Sequence, residues 1–472
     1  MKILASLAAV FVLASASQFL LPSASQAATW EYTWQGGDKT PTVEISPLKY
    51  GKTWVYGVEL DDGPATTLTV VKPLLSQFSY SDAPAGVGGG QAKPFVGTAA
   101  IFLSRFDTGN NTLLSKAQLR ELVEGGWSVV SHSYWHTGNH WDASKALKPA
   151  DFRRELFWSQ ALWPAVTGQE QASVGFVYPN GDYNYGKYLA EYGLRSGSLV
   201  GGKLQRLPAT PDEWMSLDRN WLDENVWSKN NDPLEGLPKT GPKAGDVIVD
   251  FTHGIDANPQ SANRQRWQKR LETIAGQYGI KGDDSMWCAP TDEIVAYDLG
   301  AKNAKIEAER GKVRVSLPDT FVGTPLTLHL TGIDTKVQLK APVGGVLYRK
   351  GEEVWITTPT IGKAGVPVPA PKIERIYQGE VKNVTFEKPR KIAGVRLRQA
   401  GAPKEGFALA ISAVGAAGTA SIVPADKASI GSNWGTWQLY PTIPDGAAPL
   451  ANEIQINSDP CLKEMEVWAV VE

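Results

Sequence analysis

Cysteine is nearly missing from this 472-residue chain, with Cys288 and Cys461 the only two. A disulfide framework is therefore excluded, and one bridge between distant segments is the most that oxidation can supply. Cys288 sits in an apolar run of strand length and reads as a small buried side chain. An excess of charge is lacking too. The chain has 47 basic and 49 acidic residues and a net charge of −2, which removes the electrostatic case for nucleic acid or a membrane surface as partner. Beyond the N-terminus no apolar run is long enough to span a bilayer. The length implies more than one domain, with ample chain for buried cores.

The N-terminus has Lys2, then an apolar stretch over residues 3–13, then Ser25-Gln26-Ala27 ahead of Ala28. That order is a secretory signal peptide over residues 1–27, giving a secreted or periplasmic/cell-surface protein after cleavage. An uncleaved anchor helix is the rival reading, and the shortness of the run argues against it. No cysteine follows the stretch to carry a lipoprotein anchor. The 17 Trp and 15 Tyr suit stacking on sugar rings, and equally suit cores and interfaces.

Two short segments carry the chemistry. Val58-Glu59-Leu60-Asp61-Asp62-Gly63-Pro64 ends an apolar run on two carboxylates, and Ser131-His132-Ser133-Tyr134-Trp135-His136 ends another on two histidines four apart. A borderline divalent cation takes imidazole nitrogen and carboxylate oxygen, and a catalytic site keeps one position open for water. Asp62, His132 and His136 supply three ligands, leaving Asp61 as a base for metal-assisted hydrolysis. Taken singly, the segments have plainer readings: an acidic turn after a strand, and one core histidine beside one exposed one. His140 is a further ligand candidate.

Both segments resemble the first two motifs of the polysaccharide deacetylase family (carbohydrate esterase family 4). The run from Leu114-Ser115 through Gln118 and Leu122 to Gly126-Trp127 also follows the family pattern, as do Tyr178-Pro179-Asn180-Gly181-Asp182, Val249-Asp250-Phe251-Thr252-His253-Gly254 and Asp284-Ser285-Met286-Trp287. The ordered similarity spans roughly residues 50–300. The resemblance implies Asp61 as base and His253 as the acid protonating the leaving group. It implies Asp62, His132 and His136 as ligands of a divalent metal, zinc first, with cobalt or nickel as alternatives. Pro179, Asn180 and Trp221 would line the oxyanion and substrate pocket, with Asp218 tuning His253. One departure stands out: the family's third motif begins with an Arg that orients the base, and here Val177 occupies that place. Arg105 is a candidate substitute.

From residue 50 to 300, strand-length apolar runs (54–60, 99–103, 127–131, 174–178, 247–251, 286–289) alternate with helical patterns at 115–124, 152–163 and 263–278. Alternation implies parallel strands with crossover helices, whose carboxyl ends hold reactive groups. The resemblance implies an irregular (β/α) barrel. Residues 79–94 read as an irregular surface loop. Beyond 303, short alternating segments (312–317, 326–330, 337–339, 345–349, 354–358) give a small β domain over 303–364. A linker over 365–371 follows, then an all-β, sandwich-like domain over 372–472 for which glycan binding is one open role. The expected multidomain order is therefore signal peptide 1–27, barrel 28–302, then these β units, with the β-rich part separable and dispensable on small substrates. The expected function is an exported, monomeric, metal-dependent hydrolase removing N-acetyl or O-acetyl groups from a polysaccharide. The rival is a non-catalytic glycan-binding or matrix protein on a degenerate barrel.

Overall fold

A fully buried strand anchors the barrel: in Trp54–Leu60 (β1) all seven residues are inaccessible to solvent, as expected where helices cover a parallel sheet. In the computed structural model, residues 28–138, 147–201, 204–227, 232–318, 323–362, 372–423, 436–444 and 446–471 are described. The signal segment, His140 and the linker at 365–371 lie outside them.

Around β1 run Thr98–Ile101 (β2), Ser128–Ser131 (β3), Gly175–Val177 (β4), Ser196–Ser198 (β5), Asn220–Trp221 (β6), Asp246–Thr252 (β7) and Met286–Cys288 (β8), all paired in parallel. The order is β7-β1-β2-β3-β4-β5, with β8 also on β1 and β6 on β7. Leu217, just before β6, bridges Ser198 of β5. The segment 217–221 thus carries the sheet round from β5 to β7, and the strands form the irregular (β/α) barrel that the alternation implies.

The longer helices are Lys116–Glu124 (α1), Pro149–Thr167 (α2), Ala262–Tyr278 (α3) and Thr291–Asn303 (α4). Ser115 and Gln118 form the expected capping box on α1, each side chain accepting from the other's backbone N–H. Arg270 of α3 ties its helix to β7 through a buried two-point ion pair with Asp250 (2.5 and 2.8 Å). Cys288 and Cys461 are both buried and unbridged.

The outer strands depart from chain order. Ala28–Thr33 pairs with Lys312–Leu317, and Thr42–Ile45 with Thr327–Thr331. Both sheets that follow the barrel therefore borrow a strand from the segment that precedes it. The pattern at 337–339 gives no strand; Val337 closes a turn onto Asp334, since three residues are too few to define a period. Within the presumed loop at 79–94, Ser79–Ser81 and Ala92–Pro94 form a hairpin around a glycine-rich tip. The last unit, the expected sandwich, is all-β and antiparallel and is built on Val384–Gln399 (β9). That long strand pairs first with Leu450–Ile456, then with Thr436–Pro441 (β10) and Leu462–Val470 (β11).

Buried packing runs across the expected domain boundaries. Ala393, Leu439, Ile443 and Trp468 of the sandwich and Val313, Leu328 and Ile356 of the small sheets share one buried core with Trp54, Trp158 and Trp287 of the barrel. Trp437 and Trp468 face inward, and the large exposed apolar residues described beyond 303 are Val343, Leu450 and Val471, none aromatic.

Candidate metal centre and active site

β1 ends at Leu60, and the alternation of a strand sends Glu59 and Asp61 the same way. Both are buried, and both meet Arg219. Its Nη1 and Nη2 donate to the two Asp61 carboxylate oxygens at 2.8 and 3.0 Å, and Nη1 also reaches Glu59 Oε2 at 2.8 Å. The planar fork fits a carboxylate at two points, which fixes its plane as well as its charge. Burial is the largest influence and raises the Asp61 carboxyl, but the charge and hydrogen bonds of Arg219, with the nearby His132 and His253, together hold the group below the usual carboxylate range.

Asp62 turns away at φ +67°. Its Oδ1 lies 3.5 Å from both His132 Nε2 and His136 Nε2, which are 3.0 Å from each other. These three side chains are the one group of candidate ligands that converges among the described residues. The other ring nitrogen of His132 sits 2.8 Å from the Val177 carbonyl, which assigns it the proton and turns the Nε2 lone pair to the centre. Burial, followed by the neighbouring His132, pushes His136 down to about 3, so its ring is neutral.

The histidine loop has a support of its own. Glu155 of α2 accepts the backbone N–H groups of Tyr134 (2.9 Å), Trp135 (2.8 Å) and Thr137 (3.3 Å), and also the Thr137 hydroxyl. The His136 N–H donates to Ser133 Oγ at 2.9 Å. Asp62, Ser133, His136 and Asn180 all have left-handed backbone (φ +67°, +71°, +60° and +50°). Such conformations cost about 1–3 kcal/mol each and persist where surrounding contacts over-determine them.

β7 ends at Thr252, and the next residue, His253, places Nδ1 2.6 Å from Asp223 Oδ2. Asp223 also accepts the His253 backbone N–H (2.9 Å), the Thr252 hydroxyl (2.6 Å) and Trp221 Nε1 (2.7 Å). The hydrogen bond to Asp223 outweighs burial and raises His253 to about 9. Trp221, partly exposed, stacks on Phe251 and lies 6.3 Å from the His253 ring. Asn180 sits at the rim, where its side-chain N–H donates to the Gly138 carbonyl at 2.9 Å; Pro179 beside it is buried.

Residues 60–196 match the family model for polysaccharide deacetylases. The chain carries a polysaccharide deacetylase domain. Solved structures give the same kind of neighbour at low identity. The Streptococcus pyogenes deacetylase PplD is 17% identical over 35% of this chain and 62% of its own, under two thirds of its length, at a TM-score of 0.27. A family 4 carbohydrate esterase from Streptomyces lividans is 17% identical over 50% of this chain and 91% of its own, at 0.29. A pseudoenzyme of the same esterase family from Bacillus anthracis is 15% identical over 50% and 67%, at 0.26. No curated protein matches the chain.

In the barrel, Asp61, Asp62, His132, His136, His253, Asn180 and Trp221 gather at the carboxyl ends of the strands. Two expectations are corrected. The carboxylate on His253 is Asp223, because β6 pairs with β7 and Leu222 N–H continues that register onto the Phe251 carbonyl; Asp218 lies instead beside Gly201. Arg105 does not replace the missing third-motif Arg: it is exposed over the Phe102 ring, and Arg219 holds the base. A signal for both was present in the sequence. Arg219, Trp221 and Asp223 are two apart, so an extended segment presents them on one face, with Asp218 and Asn220 on the other. Glu155 carried no such signal, since a carboxylate on a helix gives no hint that it will be buried.

Proposed function

We propose that the chain is an exported, divalent-metal-dependent deacetylase that hydrolyses N-acetyl or O-acetyl groups of a polysaccharide. The observation that carries this reading is the pairing of two supported groups with one ligand cluster. Asp61 is held ionised by Arg219 and His253 protonated by Asp223, beside Asp62, His132 and His136.

The three candidate ligands fit a metal. Asp62 Oδ1 is buried without a hydrogen-bond partner, an expensive state for a carboxylate oxygen unless a cation completes it. Ligands about 2.1 Å from a tetrahedral ion stand roughly 3.4 Å apart, close to the 3.0–3.5 Å separations seen here. The mixed nitrogen and oxygen set suits zinc, with cobalt and nickel next. When bound, such an ion supplies polarisation of the acetyl carbonyl and a more acidic water.

This chain's own residues do the rest. Asp61 takes the proton of the attacking water, and Arg219 keeps it charged and fixed in plane. In this reading the backbone N–H of Asn180 donates to the oxygen that becomes negative as the carbonyl is attacked. His253, with Nδ1 on Asp223, has Nε2 left to protonate the departing nitrogen or oxygen. Trp221 walls the pocket with an aromatic face. The products are acetate and a free amine or hydroxyl.

Acetate release from peptidoglycan, chitin oligomers, poly-N-acetylglucosamine, acetylated xylan and an acetylated exopolysaccharide tests the reading, using purified chain with added zinc. Release that a chelator abolishes is expected from at least one. Glycan binding with no acetate from any would favour the non-catalytic alternative. Export is part of the same proposal, and terminal sequencing of exported protein should find a start near Ala28; an intact Met1 would contradict it.

A further inference from the structure

Tyr134 stands between the two histidines and points away from them, into the sandwich. Its ring is fully buried, and its hydroxyl makes two bonds to the sandwich. Arg396 Nε, from β9, donates to it at 2.9 Å, and it donates to the Trp437 carbonyl of β10 at 3.1 Å. Arg396 is itself buried, with Nη2 on the Leu103 carbonyl (3.2 Å), Nη1 on Glu466 (3.0 Å) and its plane over the Trp437 ring at 4.5 Å.

The contact continues along the backbone. The Trp437 N–H donates to the Ser104 carbonyl at 2.7 Å, and the Ser104 N–H to the Tyr134 carbonyl at 2.9 Å. Trp158, one turn along α2 from Glu155, donates its indole N–H to the Ile443 carbonyl of the sandwich at 2.9 Å. The histidine loop is therefore gripped from two sides, by Glu155 on its backbone and by the sandwich on Tyr134. Two of its residues, Ser133 and His136, have left-handed backbone. A loop in that conformation keeps its shape only while its neighbours impose it.

We propose that the C-terminal sandwich completes the metal centre, with Arg396 as a positioning residue that acts through Tyr134 to set the spacing of His132 and His136 and so the affinity for a divalent cation. The proposal rests on the reading of those histidines as ligands. It gives the sandwich a role unlike that of a tethered glycan-binding module. Partners that orient metal ligands are worth roughly 10- to 100-fold in metal affinity, and a hydroxyl on a residue two positions from each ligand belongs at the low end.

Titration of the full chain with Co2+ against a competing chelator, followed by the visible spectrum of the bound ion, tests it. Tyr134→Phe keeps the ring and removes only the hydroxyl. It is expected to raise the Co2+ Kd by about tenfold with far-UV circular dichroism unchanged. Arg396→Met combined with Glu466→Gln, which avoids an unpaired buried charge, should do the same. Adding Tyr134→Phe to that pair should change little more, since both act through one contact. Ile454→Val, in the separate far core of the sandwich, should lower Tm and leave the Co2+ Kd alone. An unchanged Kd in Tyr134→Phe overturns the proposal, and that variant decides alone where the double variant does not fold. An equal loss in Ile454→Val also overturns it, by assigning the effect to general destabilisation. Failure of the unsubstituted chain to bind Co2+ overturns this proposal and the metal reading together; binding without acetate release overturns only the deacetylase reading.

Discussion

Arg219 sets one guanidinium against two carboxylates that stand two residues apart on the same strand. A lysine there keeps the charge and loses the two-point fit. Arg219→Lys is expected to lower kcat for acetate release roughly 10- to 150-fold, the equivalent of one charged hydrogen bond of about 1.5–3 kcal/mol. Metal content by mass spectrometry should be unchanged, because Asp61 is outside the ligand cluster; an unaltered kcat would remove Arg219 from the site. His253 gives a pH signature. Its raised value near 9 means the acid form persists through neutral pH and is lost as pH rises through about 9, so acetate release should fall on that alkaline limb. Asp223→Asn removes the anion that raises it, and the limb should shift toward neutral pH. A profile unmoved by that substitution would contradict the role of Asp223. The converging carboxylates and histidines were legible because each sits on a local signal, a polar pair ending an apolar run. Arg219 and Asp223 flank a two-residue strand whose partner is thirty positions away, and only the parallel register with β7 decides which acid meets His253.

At the level of elements, the turn carrying the histidines is strained locally and held remotely. Glu155 uses both carboxylate oxygens on three backbone N–H groups and a hydroxyl. A glutamine offers one acceptor oxygen in place of two, so part of that set goes unpaired at about 1–3 kcal/mol for a buried donor. Glu155→Gln is expected to lower Tm by several degrees and to weaken divalent-metal binding in equilibrium dialysis; full affinity with a native Tm would show that the turn holds itself. The barrel strands and α1 could be read from period and caps, since β1 is apolar but for Glu59 and Ser115 and Gln118 cap each other. The hairpin at 79–94 escaped because three-residue strands around glycines carry no period.

Across the whole molecule, chain order and spatial order part company. Ala28–Thr33 and Thr42–Ile45 enter sheets made otherwise from residues beyond 303, and no local pattern announces a partner nearly 300 positions away. One buried core joins residues of the barrel, the small sheets and the C-terminal unit. A chain ending at Gly300 is expected to be insoluble or unfolded by circular dichroism, because it exposes the core faces that Val313, Leu328 and Trp468 cover; a soluble, folded, metal-binding product would contradict the shared core. The proposed site divides its labour between two adjacent aspartates, and one paired measurement on the full chain reads that division directly: metal occupancy by mass spectrometry and acetate release for Asp61→Asn and for Asp62→Asn. The amide at position 61 should slow release by roughly 10²- to 10⁴-fold, the usual worth of a general base, with occupancy retained, whereas the amide at 62 should lose metal and rate together. Metal lost from Asp61→Asn and kept by Asp62→Asn would contradict the assignment.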